Sequence, residues 1–173
     1  MRATIFAICC VVASLAADEP RPIVDFQRAA DSYAFMHRQV ERRLGLAHRR
    51  AGLPEDIGTT ELAAAIVAER QRHPLPPLFT PPVAAAFRTL AIRAVYRGCE
   101  PGELRSGVWE MAHDVNSPAT GSRPVPKCLS EVLPQLPEEL EYRSAGTVLL
   151  LVDTHANLVV DVLPALMAGS EIR

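Results

Sequence analysis

The stretch Gly146-Thr147-Val148-Leu149-Leu150-Leu151-Val152-Asp153-Thr154-His155-Ala156-Asn157-Leu158-Val159-Val160-Asp161-Val162-Leu163 decides the fold. Its two runs are aliphatic and β-branched, and four turn-prone residues separate them, which is the signature of a β-hairpin. In the first run Val148, Leu150 and Val152 share one face, while Leu149 and Leu151 share the other. A strand apolar on both faces must be covered on both faces. An isolated hairpin is marginal in water, so these strands need a helical layer to pack on. Upstream, Leu140-Glu141-Tyr142-Arg143 can add a third strand.

The helical layer is legible before it. Phe26, Ala30, Tyr33, Met36, Val40 and Leu44 recur every three or four residues, which predicts a helix over 25–44, capped by Asp25 and stopped by Gly45. Residues 45–58 read as a connector. Thr59 or Thr60 then caps a second helix running to about Arg72, where Pro74, Pro76 and Pro77 stop it. Thr80-Pro81-Pro82 starts a third helix over 81–97, because proline in a first helical turn costs no hydrogen bond. A fourth helix is expected near 101–113, with Trp109 partly buried. Asp114 to Lys127 is rich in Asn, Ser, Gly and Pro and reads as a loop. The expected class is α+β: about four helices followed by a C-terminal antiparallel hairpin of two or three strands. The helical part is 25–113, the loop 114–139 and the β part 140–163, all within one domain of 25–173.

The other end of the chain speaks to compartment. Met1-Arg2-Ala3-Thr4 is basic, Ile5 to Leu15 carry no charge, Ser14-Leu15-Ala16 offers small residues, and acids begin at Asp18. That order is the export-signal pattern, with cleavage expected after residue 16. The apolar run of about 11 residues is too short for a membrane span, which needs roughly 20. Residues 17–24, with Pro20 and Pro22, read as an extended lead-in. The expected location is therefore periplasmic or extracellular, with no membrane span after cleavage. The dominance of Arg over Lys, with Lys127 the single Lys, points to a GC-rich bacterial genome.

Removing residues 1–16 takes away one charged residue, Arg2, and moves the formal net charge from −2 to −3. That balance gives no reason to expect nucleic acid or an anionic membrane as partner. It also removes Cys9 and Cys10 and leaves Cys99 and Cys128. Two thiols in an oxidising compartment can pair or stay buried and free; export favours the pair. A metal site on these cysteines lacks neighbouring ligands at the usual spacing.

Leu136-Pro137-Glu138-Glu139-Leu140-Glu141-Tyr142-Arg143, followed by the hairpin runs, resembles the closing hairpin of uncharacterised exported bacterial proteins. It is loosely similar to the tail of periplasmic nickel/cobalt-homeostasis proteins of the RcnB-like type. The resemblance covers about 30 residues of 173. It implies an exported context and a hairpin, and it carries over no catalytic residue and no metal ligand.

No cofactor motif is present. Asp153, His155 and Asp161 form the sharpest polar cluster, able to bind a divalent ion if the register brings them together. Ordinary turn chemistry is the preferred explanation for Asp and Asn there. His113 and Asp114, with Ser117 or Ser122, could imitate a hydrolase triad, but there is no nucleophile elbow. The acid pairs Glu138 with Glu139 and Glu55 with Asp56 could serve glycoside hydrolysis, which needs a sugar-sized cleft. Arg38, Arg42, Arg43, Arg49 and Arg50, beside His37 and His48, form the densest basic run; the interleaved Glu41 and polar helix face read it as a solvated surface, with an acidic partner or anionic envelope polymer as the alternative. With no chemical motif in hand, the expected function is a non-enzymatic envelope interaction module. It would pair with another envelope protein or a second copy through an open sheet edge. Divalent-metal handling through the hairpin is the alternative, and a small secreted hydrolase the next. An intact mass of the exported protein lacking residues 1–16 is the expected outcome of mass spectrometry; a mass that retains them would overturn the export reading.

Overall fold

The computed structural model describes residues 20–46, 55–102 and 114–166. The fold is α+β. Its described elements run α1 (Arg21–Leu44), α2 (Glu55–Arg72), α3 (Pro81–Tyr96), β1 (Arg123–Pro124), α4 (Lys127–Ser130), β2 (Leu140–Ala145), β3 (Val148–Asp153) and β4 (Leu158–Leu163). The strands form one antiparallel sheet in the order β1-β2-β3-β4. It has four strands rather than two or three, because Arg123 and Pro124 pair with Ser144 and Arg143.

Helix α1 begins earlier than its periodicity predicts. The expected extended lead-in over 17–24 is helical from Arg21 onward. Pro22 sits in the first turn, where a missing amide is harmless, and the Pro20 carbonyl accepts from Ile23 at 2.7 Å. Asp25 lies inside the helix and pairs with Arg28 at 3.0 Å instead of capping. Gly45 closes the helix in the left-handed conformation, φ 65°, as its position after Leu44 predicts. The buried face is Ile23, Phe26, Ala30, Tyr33, Ala34, His37 and Val40. His37 thus takes the buried place that the apolar pattern assigns to Met36.

Helix α2 starts at Glu55, ahead of the expected threonine cap, and buries Leu62 and Ile66. Thr80 occupies the cap position of α3, but its hydroxyl makes no cap bond; its carbonyl accepts from Ala84 at 2.8 Å. The fourth helix expected near 101–113, with Trp109, lies outside the described residues apart from a turn at 101–102.

Strand β3 is the centre of the molecule, with all six residues buried. Leu149 and Leu151 join the core made with the helices, which includes Phe26, Tyr33, Phe87, Tyr142 and Val160. Val148, Leu150 and Val152 form a second cluster on the opposite face with Ala145, Val159 and Ala119. Burying one such leucine contributes about 1.5–3 kcal/mol. Phe26 anchors the helical side, with ring centroids 4.8 Å from Phe87, 5.7 Å from Phe79 and 6.3 Å from Tyr142.

The segment read as a loop over 114–127 does more than connect. Asn116 N–H donates to the Val159 carbonyl at 2.8 Å, and Val159 N–H donates to the Ser117 carbonyl at 2.8 Å. Along the other edge Val125 N–H donates to the Tyr142 carbonyl at 3.4 Å. One segment thus runs beside both outer strands. Its sequence looks irregular because it contributes backbone groups, not an apolar period, to the sheet.

Cys99, just after α3, and Cys128, in α4, form a disulfide with Cα atoms 5.5 Å apart. It ties the four-residue helix α4 to the helical layer across a sequence separation of 29. A loop of that size removes about 3–4 kcal/mol of unfolded-state freedom in the chain-entropy picture. Cys99→Ser with Cys128→Ser is expected to lower unfolding free energy by about that amount in urea titrations. A change under about 0.5 kcal/mol, the scale of ordinary surface substitutions, would contradict it.

Candidate functional site

Tyr33, His37 and Glu41 are spaced by four residues on α1, so they form a polar stripe along one helix face. The stripe faces the end of β3 and the β3–β4 turn. Asp153, the last residue of β3, points into it and has no exposed surface. Its Oδ2 accepts from the Tyr33 hydroxyl at 2.8 Å and lies 2.6 Å from His37 Nδ1. Its Oδ1 accepts from the backbone amides of His155 and Ala156 at 3.0 and 2.8 Å. The last two bonds make the turn, so the turn role the sequence offers for Asp153 is observed. The first two are tertiary.

This geometry sets the chemistry of His37. A carboxylate only accepts, so Nδ1 carries the proton that faces Asp153. In the neutral ring Nε2 then presents a lone pair. It is buried and has no hydrogen-bond partner. His155 Nδ1 is likewise buried and unpartnered. Both nitrogens face the same Glu41 carboxylate, at 3.8 Å from Oε2 and 3.7 Å from Oε1. The two rings lie 5.3 Å apart, edge to face.

Those separations bear on what the three groups can hold between them. They are too long for hydrogen bonds, which need about 2.7–3.2 Å. Two metal–ligand bonds of about 2.0–2.1 Å at a tetrahedral angle place donor atoms roughly 3.3–3.4 Å apart. The donors of His37, Glu41 and His155 all lie within 4.8 Å of one another. The spacing is one that an ion could bridge, and it is also that of an ion pair when an imidazole is protonated. The cluster is also a compact N₂O donor set, suited to Zn²⁺ and similar divalent transition ions. The Asp153–His37 contact matches the usual arrangement in which a carboxylate orients a ligating imidazole.

Not all the residues singled out by sequence meet here. Asp153 and His155 do, with Asp153 behind the ligands instead of among them. Asp161 does not. A β-bulge between β3 and β4 sets it opposite Leu151, two residues along from Asp153. Its Oδ2 accepts from the amides of Leu78 and Phe79 at 2.6 and 2.8 Å, and its Oδ1 from Val162 at 2.8 Å. Asp161 thus anchors the segment before α3. His37 was read as part of the basic run, and Glu41 as a charge interleaved in it. Their signal was the spacing Tyr33, His37, Glu41 within an apolar helix face.

Several of the other candidates make structural contacts, and others fall outside the described residues. His113 lies outside the described residues, as do the side chains of Glu55 and Asp56 and all of His48, Arg49 and Arg50. The Asp114 carbonyl accepts from the Ser117 hydroxyl at 2.7 Å, and Ser122 donates to the Ala119 carbonyl at 2.5 Å. Glu139 is buried, and Arg38 holds its Oε1 at 2.7 Å. Arg43 and Arg72 pair with Glu69 at 2.6 and 3.0 Å. The Arg43 hydrogen bond holds the Glu69 carboxyl below the usual carboxylate range. Part of the basic run is therefore spent on pairs within the chain, at half-exposed positions.

Arg70 places its guanidinium 5.8 Å over the Tyr33 ring and donates to Asn116 Oδ1 and the Val160 carbonyl. No family model matches the chain, and no curated protein or solved structure matches it.

Burial and the Asp153 carboxylate push the Tyr33 phenol well above its ordinary range, and burial raises Tyr142 as well. A phenol whose folded value is raised contributes stability fully below the unfolded value of about 10 and loses it as pH rises toward the folded value. Tyr33→Phe is expected to cost about 1–2 kcal/mol at neutral pH, since Asp153 loses one donor. It is also expected to flatten the alkaline decline above about pH 10. Urea titrations from pH 7 to 11 give both numbers, and an unchanged alkaline slope would refute the assignment.

Proposed function

We propose that this is an exported, non-enzymatic protein that binds one divalent transition-metal ion, Zn²⁺ by donor preference, at His37, Glu41 and His155. The observation that carries the reading is the pair of buried, unpartnered imidazole nitrogens aimed at one carboxylate. Leaving two such atoms buried without partners costs about 1–3 kcal/mol each, and an ion removes that cost. Export rests on the basic-apolar-small order of residues 1–16. Among the described residues no helix is long and apolar enough to cross a membrane.

An interaction module working through an open sheet edge has less support. The outer edge of β4 bonds to Asn116 and Ser117, and that of β2 to Arg123, Pro124 and Val125. The metal site also replaces the ligand trio first suggested by the hairpin. Two of its three donors come from one helix and one from the turn, so an ion would cross-link α1 to the sheet.

Calorimetric titration of the purified protein with Zn²⁺ is expected to show one ion per chain with submicromolar affinity. His155→Ala, at the least buried donor, is expected to abolish that event while leaving the thermal transition of the apo protein in place. Asp153→Asn is expected to weaken it about 10–100-fold, as loss of an orienting carboxylate does elsewhere. Metal and protons compete for the same nitrogens, so affinity falls on acidification. Absence of binding at micromolar Zn²⁺, or binding indifferent to His155→Ala, would remove the proposal.

A further inference from the structure

We propose that Glu139 is a positioning residue of the metal site: held by Arg38, it pins α1 to the end of the sheet so that His37 and Glu41 stay in reach of His155. The inference rests on the metal-site reading above and deepens it, because it names a residue on which that site depends without being a ligand.

Two donors come from α1 and the third from the β3–β4 turn, so the gap between them is set by how the helix lies against the sheet. Donors must be held within about 0.5 Å of their working geometry. Asp153 ties helix to sheet, but its bonds to Tyr33 and His37 both end on Oδ2. They meet the sheet at one point, about which a helix can tilt. Arg38 makes a second tie at another point. Its Nη1 donates to Glu139 Oε1 at 2.7 Å. The Glu139 carbonyl accepts from the Thr154 amide at 2.9 Å and from the Thr154 hydroxyl at 3.3 Å. Arg38 follows His37 in the chain, and Thr154 precedes His155. The tie therefore runs from the neighbour of one imidazole to the neighbour of the other.

The chemistry of Glu139 fits a role in position better than one in stability. Its side chain is 2% exposed, whereas that of Arg38 is 46% exposed. Its Oε2 is buried and has no hydrogen-bond partner. A carboxylate drawn out of water with one oxygen unpaired recovers little from a half-solvated guanidinium, and an apolar side chain of similar size serves a core as well or better. What the charged pair supplies is a directed bond at a fixed place.

The test is calorimetric titration of the purified protein with Zn²⁺, carried out well below the thermal transition of each variant. Glu139→Leu removes the tie and is expected to weaken binding about tenfold, the lower end of what loss of an outer-shell partner costs. Arg38→Met cuts the same tie from its half-exposed end and is expected to give the same loss, so the result does not hang on one variant folding. Glu139→Gln discards the charge but keeps an oxygen for Arg38, and is expected to recover most of the affinity. A purely structural role would lower the apo thermal transition and leave the affinity of the folded protein unchanged. Unchanged affinity in the tie-cutting variants would overturn the positioning role and leave the metal site standing. A Glu139→Gln variant as weak as Glu139→Leu would also overturn it, because the effect would then belong to the charge and not to the contact. Failure of the wild-type protein to bind Zn²⁺ would overturn the site itself.

Discussion

A buried carboxylate cannot stay ionised in an apolar core without donors around it, and Asp153 has four. Two are backbone amides of the turn it begins, and two are side chains of α1. Each set alone is ordinary. Together they fix the distance and rotation between the longest helix and the end of the central strand. Removing the helix donors would leave a charge stranded among apolar neighbours, which is among the costliest changes a core can suffer. The position of the His37 ring, and so the direction of its free nitrogen, follows from this one residue.

The surrounding packing makes that constraint effective. β3 is apolar on both faces, so it is gripped by the helical core on one side and by the smaller cluster with Ala119 and Val159 on the other. A strand held in that way cannot slide, because a one-residue slip would exchange its faces. The disulfide fixes the α3 end of the helical layer to the segment between β1 and β2. The site therefore sits on regular elements, with the turn at His155 as its one loop-borne part. The arrangement would give the proposed divalent ion a rigid back wall and one loop-borne ligand.

Much of this was legible beforehand. The aliphatic runs flanking Thr154–Asn157 gave the hairpin, and their two-sided apolarity gave the central position of β3. The prolines at 81 and 82 marked the start of α3 to the residue. The signals that misled were local ones. Pro20 and Pro22 read as a break because proline usually interrupts a helix, yet at a helix start it fits. Asp25 read as a cap because it precedes an apolar period, yet the helix was already one turn old. The pairing of 123–124 with β2 left no trace, since two residues have no period to detect.

Composition and order along the chain determined the α+β class, the two-sided central strand, the pair of cysteines available to join and the turn chemistry at Asp153. They did so because periodicity and turn preference act over a few residues. Only the tertiary structure decided which polar residues meet. His37 and Glu41 lie more than a hundred residues from His155, and nothing local records a distance of 3.7 Å across that gap. A bulge in β4, invisible in the residue types, turned Asp161 onto the face of Leu151, where it takes the amides before α3. Register and helix rotation are set by the whole core at once, so the donor set at His37, Glu41 and His155 is a property of the fold rather than of any stretch of the chain.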